Sequence, residues 1–241
     1  MSHTIVVGMG EVGSSLARVL ARNKGLKVYT KDLEPADIPE NPDLLHICLN
    51  YVALGKEKWL GLVRGYIEEY KPRLVDICST VPPGTTRLLG PIAVHSTTRG
   101  LHPHLEEGLL NIAKHVGGPR ARDVAAYYAR AGVRCMTHGK PETTEVAHLA
   151  HLLDYGLQLM SADMRQQFCR HANVDYIEAV IKYTDTHNAG FLAMDMPSKV
   201  RMNLTPPNGR IGGHCVIQAA KVAAEIGFKH PLVEMLAGYG A

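Results

Sequence analysis

Residues 4 to 16, "TIVVGMGEVGSSL", constrain this chain more than any other stretch. A run of β-branched residues ends on Gly8, and Gly10 and Gly13 follow before the amphipathic pattern "SSLARVLARN". A strand that turns abruptly into a helix needs glycine at the turn, at the point where a ligand approaches the backbone, and where helix and strand touch. The spacing therefore predicts a βα unit. The free N–H groups and positive dipole end of its helix N-terminus suit a phosphate-bearing ligand.

A second strand pattern, "LKVYT", ends at Lys31 and Asp32. An acid at this place hydrogen-bonds a ribose 2′-hydroxyl and repels a 2′-phosphate, which favours NAD over NADP. The neighbouring Lys31 would tolerate an additional phosphate and pulls the other way. Gly8, Gly10, Glu11, Val12, Gly13 and Asp32 are the predicted cofactor residues of this segment.

Strand patterns recur at 43–50 ("DLLHICLN"), 72–79 ("PRLVDICS") and 91–96 ("PIAVHS"), with helical patterns such as "KEKWLGLVRGYIEEY" between them. This alternation predicts an α/β fold with a Rossmann-type, doubly wound parallel sheet over residues 1–140. "KHVGG" (114–118) and "VRCMT" (133–137) read as additional edge strands. Ligands of such sheets sit at the carboxyl ends of the strands, which places Asn50, Ser79, Thr80 and the segment after His95 beside the cofactor.

From Pro141 the pattern becomes helical, so residues 141–241 are expected to form a smaller all-α domain. A long helix, "ETTEVAHLAHLLDYGLQLMSADMRQQFCRHANV", has Thr143 or Thr144 as its cap. A second helix covers "DYIEAVIKYTDTHN", an irregular segment spans 189–210, and "CVIQAAKVAAEIG" is the last helix. Cys215 thus stands at a helix N-terminus behind a glycine pair, next to His214. That setting favours a thiolate, and it equally accommodates a small apolar residue in a tight corner.

Composition narrows the field further. A formal net charge of +3 and a hydrophobic content of 46% show no basic stripe and no disorder signature, so nucleic acid is not an expected partner. The first residues run straight into a strand pattern without leader features, and no segment approaches the roughly 18 apolar residues of a membrane span. A cytoplasmic protein working on a small molecule, with no membrane association, is the expectation. The five cysteines have neither CxxC spacing nor a dense framework, which fits reduced thiols, with Cys48 and Cys78 as core residues.

Two motifs carry a resemblance. "CSTVPPGTT" (78–86) after a Rossmann strand and "GRIGGHCV" (209–216) after a helical region resemble the UDP-glucose/GDP-mannose dehydrogenase family, in particular its UDP-N-acetylmannosamine dehydrogenase branch. The resemblance spans nearly the whole chain and implies an NAD-dependent oxidoreductase acting on a nucleotide-linked or phosphorylated sugar. It implies Cys215 as the nucleophile that captures an aldehyde, Thr80 as a residue positioning water or substrate, and a homodimer built on the long helix. Typical members carry a further C-terminal nucleotide-binding domain, for which no counterpart is expected within these 241 residues. Several family positions differ. Thr97 and Thr98 replace a proline and a glutamate, His148 and Leu152 replace a catalytic lysine and an asparagine, and Ala219 replaces an aspartate. His148 can stand in for lysine as a proton shuttle, because its ordinary pKa lies near neutrality.

The loop "HSTTRGLHPHLEEG" (95–108) is a candidate substrate loop, in which Arg99 suits bidentate binding of a carboxylate or phosphate. His102, His104 and Glu106 have no matching distant ligand pair, so no metal site is expected. Arg210 and His214, flanking the glycine pair, and Asn188, at the end of the second helix, complete the candidate substrate set. Two rival functions fit the same residues. One is a noncatalytic NAD-binding sensor or assembly protein; the other is a single-step dehydrogenase of the 6-phosphogluconate or hydroxyacid type, with His148 as acid and Arg99 as anion anchor.

Overall fold

The computed structural model describes residues 2–33, 37–207, 211 and 214–239, with the side chain of His214 outside the description. The glycine pattern begins as expected: β1 (Ser2–Val7) turns at Gly8 into α1 (Glu11–Leu20) and returns as β2 (Leu26–Lys31). The chain then crosses β1 to lay down β3 (Leu44–Ile47), α2 (Tyr51–Leu54), α3 (Lys56–Tyr70), β4 (Val75–Ile77) and β5 (Ala93–His95). After α4 (Leu105–Asn111), β6 (Lys114–Gly117), α5 (Ala121–Ala129) and β7 (Cys135–His138) complete the sheet.

The strand order is β2-β1-β3-β4-β5-β6-β7. All pairs are parallel except β5 with β6, which meet antiparallel at His95 and Gly117. The sheet is thus doubly wound, with its topological switch between β1 and β3, where ligands of such sheets bind. Two details differ from the sequence reading. Of the two strands expected at an edge, β6 is interior and only β7 is an edge strand. The short pattern of β6 gave no direction; its connection from β5 (96–113) is as long as the β1–β2 connection (8–25), whose strands pair in parallel, so loop length does not set the antiparallel pairing.

Strands buried on both faces read as continuous apolar runs. Leu44, Leu45 and Ile47 of β3 and Val75 and Ile77 of β4 are buried accordingly, as are Leu16, Val19 and Leu20 of α1. Within this apolar environment His46 and Asp76 are nevertheless both fully buried.

The chain divides into two compact units, residues 1–149 and 150–241, with the division inside the long helix α6 (Pro141–His171). α6 opens on Pro141, a favoured first-turn residue, so Thr144 lies within the helix and not at its cap.

The second unit contains the rest of α6, a π-helical turn (Ile177–Ile181), α7 (Lys182–Ala193), α8 (His214–Glu225) and α9 (Pro231–Ala237). α7 continues five residues beyond the predicted helix end, since "AGFLA" contains good helix formers. The core of this unit joins Ile211, Val216, Ala220, Ala223, Val233 and Leu236. Gly156 permits the close approach of α6: a Cβ there would stand 2.6 Å from Val216 and 2.7 Å from Leu236. Among the described residues, no helix is long and apolar enough to cross a membrane.

Candidate active site

The glycine loop separates into two roles. Gly8 has φ +88°, donates its N–H to Lys31 O at 2.8 Å, and would place a Cβ 2.7 Å from the carbonyl oxygen of Cys48. A Cβ on Gly13 would lie 1.9 Å from the carbonyl oxygen of Gly8, so strand and helix touch there. Gly10 is different, because a Cβ there would meet nothing within 4 Å. The protein packs against Gly8 and Gly13 and leaves open the space over Gly10, beside the first residues of α1. A dinucleotide pyrophosphate fits such a cradle.

The other predicted cofactor residues surround the same sheet edge. Glu11 and Val12 open α1. Asp32 is exposed one residue beyond β2, whose last carbonyl is bonded to Gly8. Asn50 caps α2 by accepting the Ala53 N–H at 3.1 Å, which leaves its amide NH2 as the group a ligand would meet. Ser79 is buried and donates its hydroxyl to Ile47 O at 3.3 Å, binding the ends of β3 and β4 together.

Thr80 and His148, which are 68 residues apart, share a hydrogen bond of 3.0 Å between Oγ1 and Nε2. Their meeting is built by a set of buried polar contacts. His95, fully buried, has Nε2 3.3 Å from Ser79 O and Nδ1 2.9 Å from Thr144 Oγ1. It therefore joins the residue before Thr80 to the residue one helical turn before His148. Burial holds the His95 pKa down at about 4, so its imidazole is neutral. The Thr144 hydroxyl also lies within range of His95 O at 3.2 Å and Pro141 O at 2.9 Å.

Glu145 supplies the second brace. Its carboxylate accepts the N–H of Gly84 at 2.6 Å and of Thr86 at 2.9 Å, fastening the "TVPPGTT" loop to α6. Burial raises the pKa of this carboxyl, and the two backbone donors oppose the rise. The sequence reading placed His95 in a substrate loop and assigned no role to Glu145. Glu145 lies three residues before His148 and so shares its helical face, the one signal that would have singled it out.

The remaining candidates are engaged in other ways. Arg99 donates to Ala113 O and pins the segment ahead of β6. His102 pairs with Glu11, Glu106 with Arg18, and His104 with Glu107, so these three do not converge. Asn188 donates to Arg201 O and accepts the Arg201 N–H, both at 2.8 Å, as a clamp on the segment after α7. Cys215 is the second residue of α8 and is half-buried. Arg210 lies outside the described residues; His214 begins α8, and its side chain is likewise outside them.

An alcohol group held beside Thr80 and His148 would find an acceptor for its proton, next to a cradle for a dinucleotide. That arrangement suits oxidoreduction at a CH–OH group. Solved structures with the same fold belong to enzymes of this kind. The UDP-D-ManNAc dehydrogenase of Pyrococcus horikoshii matches 99% of this chain and 68% of its own, with TM-score 0.77 and 17% identity. The chain has the fold of these dehydrogenases.

A UDP-glucose dehydrogenase from Pyrobaculum islandicum matches 100% of this chain and 68% of its own at TM-score 0.70 and 16% identity. The 3-hydroxyisobutyrate dehydrogenase of Mycobacterium tuberculosis matches 98% of this chain and 91% of its own at TM-score 0.68 and 13% identity. The Rossmann-type architecture with its helical second part, expected from sequence, is therefore found across the whole chain. No protein-family model and no curated protein matches it.

Proposed function

We propose that this protein is an NAD-dependent dehydrogenase that oxidises a CH–OH group of a sugar derivative, nucleotide-linked or phosphorylated, in the cytoplasm. The observation that carries the reading is the Thr80–His148 hydrogen bond at the carboxyl end of β4, at the same sheet edge as the open glycine cradle. NAD, when bound, accepts a hydride. Gly10 and the first turn of α1 hold the pyrophosphate, and Asp32 selects the unphosphorylated ribose.

His148 takes the hydroxyl proton as hydride departs, and Thr80 orients the imidazole and the alcohol. His95 and Glu145 keep this pair in register without touching the substrate. Cys215 is the candidate nucleophile for a second oxidation through a thioester; its place in the first turn of α8, where a helix dipole favours thiolate, supports that role.

The same proposal includes a homodimer formed through the helical unit. Between residues 171 and 204, Thr184 is the one buried residue, while Val174, Ile177, Tyr183, Leu192 and Met194 are each at least half exposed. Apolar surface on this scale is what association of two copies removes from water.

A second reading, single-step oxidation of a hydroxyacid, is favoured by one observation: a 3-hydroxyisobutyrate dehydrogenase shares the fold over 98% of this chain at TM-score 0.68. NADH formation over a panel of nucleotide sugars, sugar phosphates and hydroxyacids separates the two. Turnover of a nucleotide sugar with two NADH per molecule, abolished in Cys215→Ala, supports the thioester route. One NADH per hydroxyacid, unaffected by that substitution, supports the second reading. Silence across the panel with NAD binding retained would leave the noncatalytic rival standing.

A further inference from the structure

Four metal-ligand side chains occupy one face of two neighbouring strands. β3 and β4 pair in parallel with His46 opposite Asp76. Side chains two residues apart share a face, so Cys48 and Cys78, the next positions on that face, extend the pair into a two-by-two block. Parallel strands covered on both sides ordinarily carry apolar residues at such positions. Here every one of the four is a potential ligand.

His46, Asp76 and Cys78 have ligand atoms that all lie within 4.8 Å of one another, and all three residues are fully buried. His46 Nδ1 is 3.0 Å from Asp76 Oδ2, and Cys78 Sγ is 3.4 Å from the same oxygen. A tetrahedral zinc with bonds of about 2.0 Å to nitrogen and oxygen and about 2.3 Å to sulfur has ligand–ligand edges of roughly 3.3 to 3.8 Å, the longest between the two sulfurs. The His46–Asp76 and Asp76–Cys78 edges are already close to those lengths. The half-buried Cys48 thiol is in hydrogen-bonding contact with Cys78 but lies outside this 4.8 Å set, so it would have to move inward to complete the shell.

We propose that His46, Cys48, Asp76 and Cys78 form a structural site for a divalent cation of the zinc type beneath the glycine loop. Charge supports the set. Two thiolates and one carboxylate carry three negative charges; the cation and the buried ammonium of Lys114, which donates to Ser96 O at 2.6 Å, balance them. The surrounding groups already orient the ligands. Ser96 donates to one Asp76 oxygen and the Tyr128 hydroxyl to the other, an outer shell of the kind that fixes metal-bound carboxylates. His46 Nε2 has no hydrogen-bond partner among the described residues, so the N–H formed there on metal binding stays unpaired, a cost that the metal–ligand bonds must exceed.

Binding involves no redox change. Cys48 and Cys78 each lose a thiol proton to solvent, two metal–sulfur bonds form, and the imidazole proton moves from Nδ1 to Nε2. Without metal the same atoms form a hydrogen-bonded cluster centred on Asp76. The effect of the ion is local, since Gly8 and Gly13 both pack against Cys48, with a Cβ on Gly13 lying 3.4 Å from the Cys48 Cβ. A metal here would brace the loop from below.

The inference is independent of the dehydrogenase reading, because its test measures metal and not turnover. Full-length protein purified without chelator is analysed for metal content, stripped, and titrated with Co2+ and then Zn2+. The expected result is one equivalent bound, a thiolate-to-cobalt charge-transfer band, and a rise in melting temperature with Zn2+. Cys48→Ser and Cys78→Ser should each weaken binding at least tenfold and diminish the band, whereas Cys135→Ser and Cys169→Ser should leave both unchanged. X-ray absorption on the wild-type zinc form gives a count free of any folding defect in the variants, with two sulfur and two nitrogen or oxygen neighbours expected. Failure to bind one equivalent, or a sulfur-free shell, would overturn the site.

Discussion

Gly13 cannot accept a side chain, because a Cβ there would stand 1.9 Å from the carbonyl oxygen of Gly8. Gly10, three residues earlier, has open space above it. The two positions should therefore fail differently. Gly13→Ala should lower stability by about 3 kcal/mol or more, as overpacking against backbone does. Gly10→Val should melt near the wild-type temperature and lose NADH binding, measured by nucleotide fluorescence. Equal loss of stability in both variants would refute the division of roles.

His148→Ala should reduce turnover by about 10² to 10⁴-fold, the range for removal of a general base, with NAD affinity retained. Thr80→Val keeps the shape and removes the hydroxyl, and it should cost less, on the order of tenfold in kcat. If His148→Ala keeps full activity on the substrate identified by the panel, proton transfer lies elsewhere.

Acid sensitivity should trace to His95. Its pKa in the fold is about 4 against an ordinary 6.5, pushed down by burial, with a raising contribution from Asp76 and a lowering one from Lys114. A histidine that binds its proton less readily when folded stabilises the fold while neutral. That contribution is complete above pH 6.5 and disappears as pH falls toward 4, on the order of 3 kcal/mol in all. Asp76, held down at about 2, adds a second loss as pH falls through 3.8 toward 2. The buried His46, whose pKa is raised, keeps its contribution throughout this acid range. Urea midpoints at pH 7, 6 and 5 should fall for wild type and stay nearly level for His95→Asn.

Glu145→Ala should uncouple the "TVPPGTT" loop from α6 by leaving the N–H groups of Gly84 and Thr86 without their acceptor. Each buried donor left unpaired costs about 1 to 3 kcal/mol. Since Glu145 positions Thr80 without touching substrate, the variant should lower kcat more than it raises KM. A pure KM effect would place this residue in the binding surface instead.

Phe168 and Tyr183 are 69% and 73% exposed. Replacing both with glutamate should leave the second unit's own core intact and shift the protein to monomer in sedimentation velocity. An unchanged sedimentation coefficient would remove this face from the proposed dimer.

The strands and the glycine turn were legible because their signals are local: β-branched runs, alternation with helices, and glycines at fixed spacing. Thr80 and His148 were each found by motif, but their contact was not, because it joins positions 68 residues apart. The supporting shell was harder still. His95 and Glu145 read as polar residues of a loop and of a helix, and only the approach of α6 to the ends of β4 and β5 gives them partners. His46 and Asp76 were hidden for a related reason, since a polar residue inside an apolar strand pattern has no local signature of what lies across the ladder.

The single antiparallel pairing of β5 with β6 sets the starting point of α6. Because β6 and β7 run against the first five strands, with Gly117 level with His95 and His138 level with Gly117, the chain leaves β7 heading away from the glycine cradle. Lys140 and Pro141 therefore start the helix near Pro91 and Ala93, at the beginning of β5, with Arg87 and Pro119 around the same cavity of about 700 Å³. The seven steps from Pro141 to His148 rise about 10 Å, roughly the length of a three-residue strand. The reversed strand thus works as a spacer: it lowers the foot of the helix by one strand length, so that His148 arrives level with Thr80.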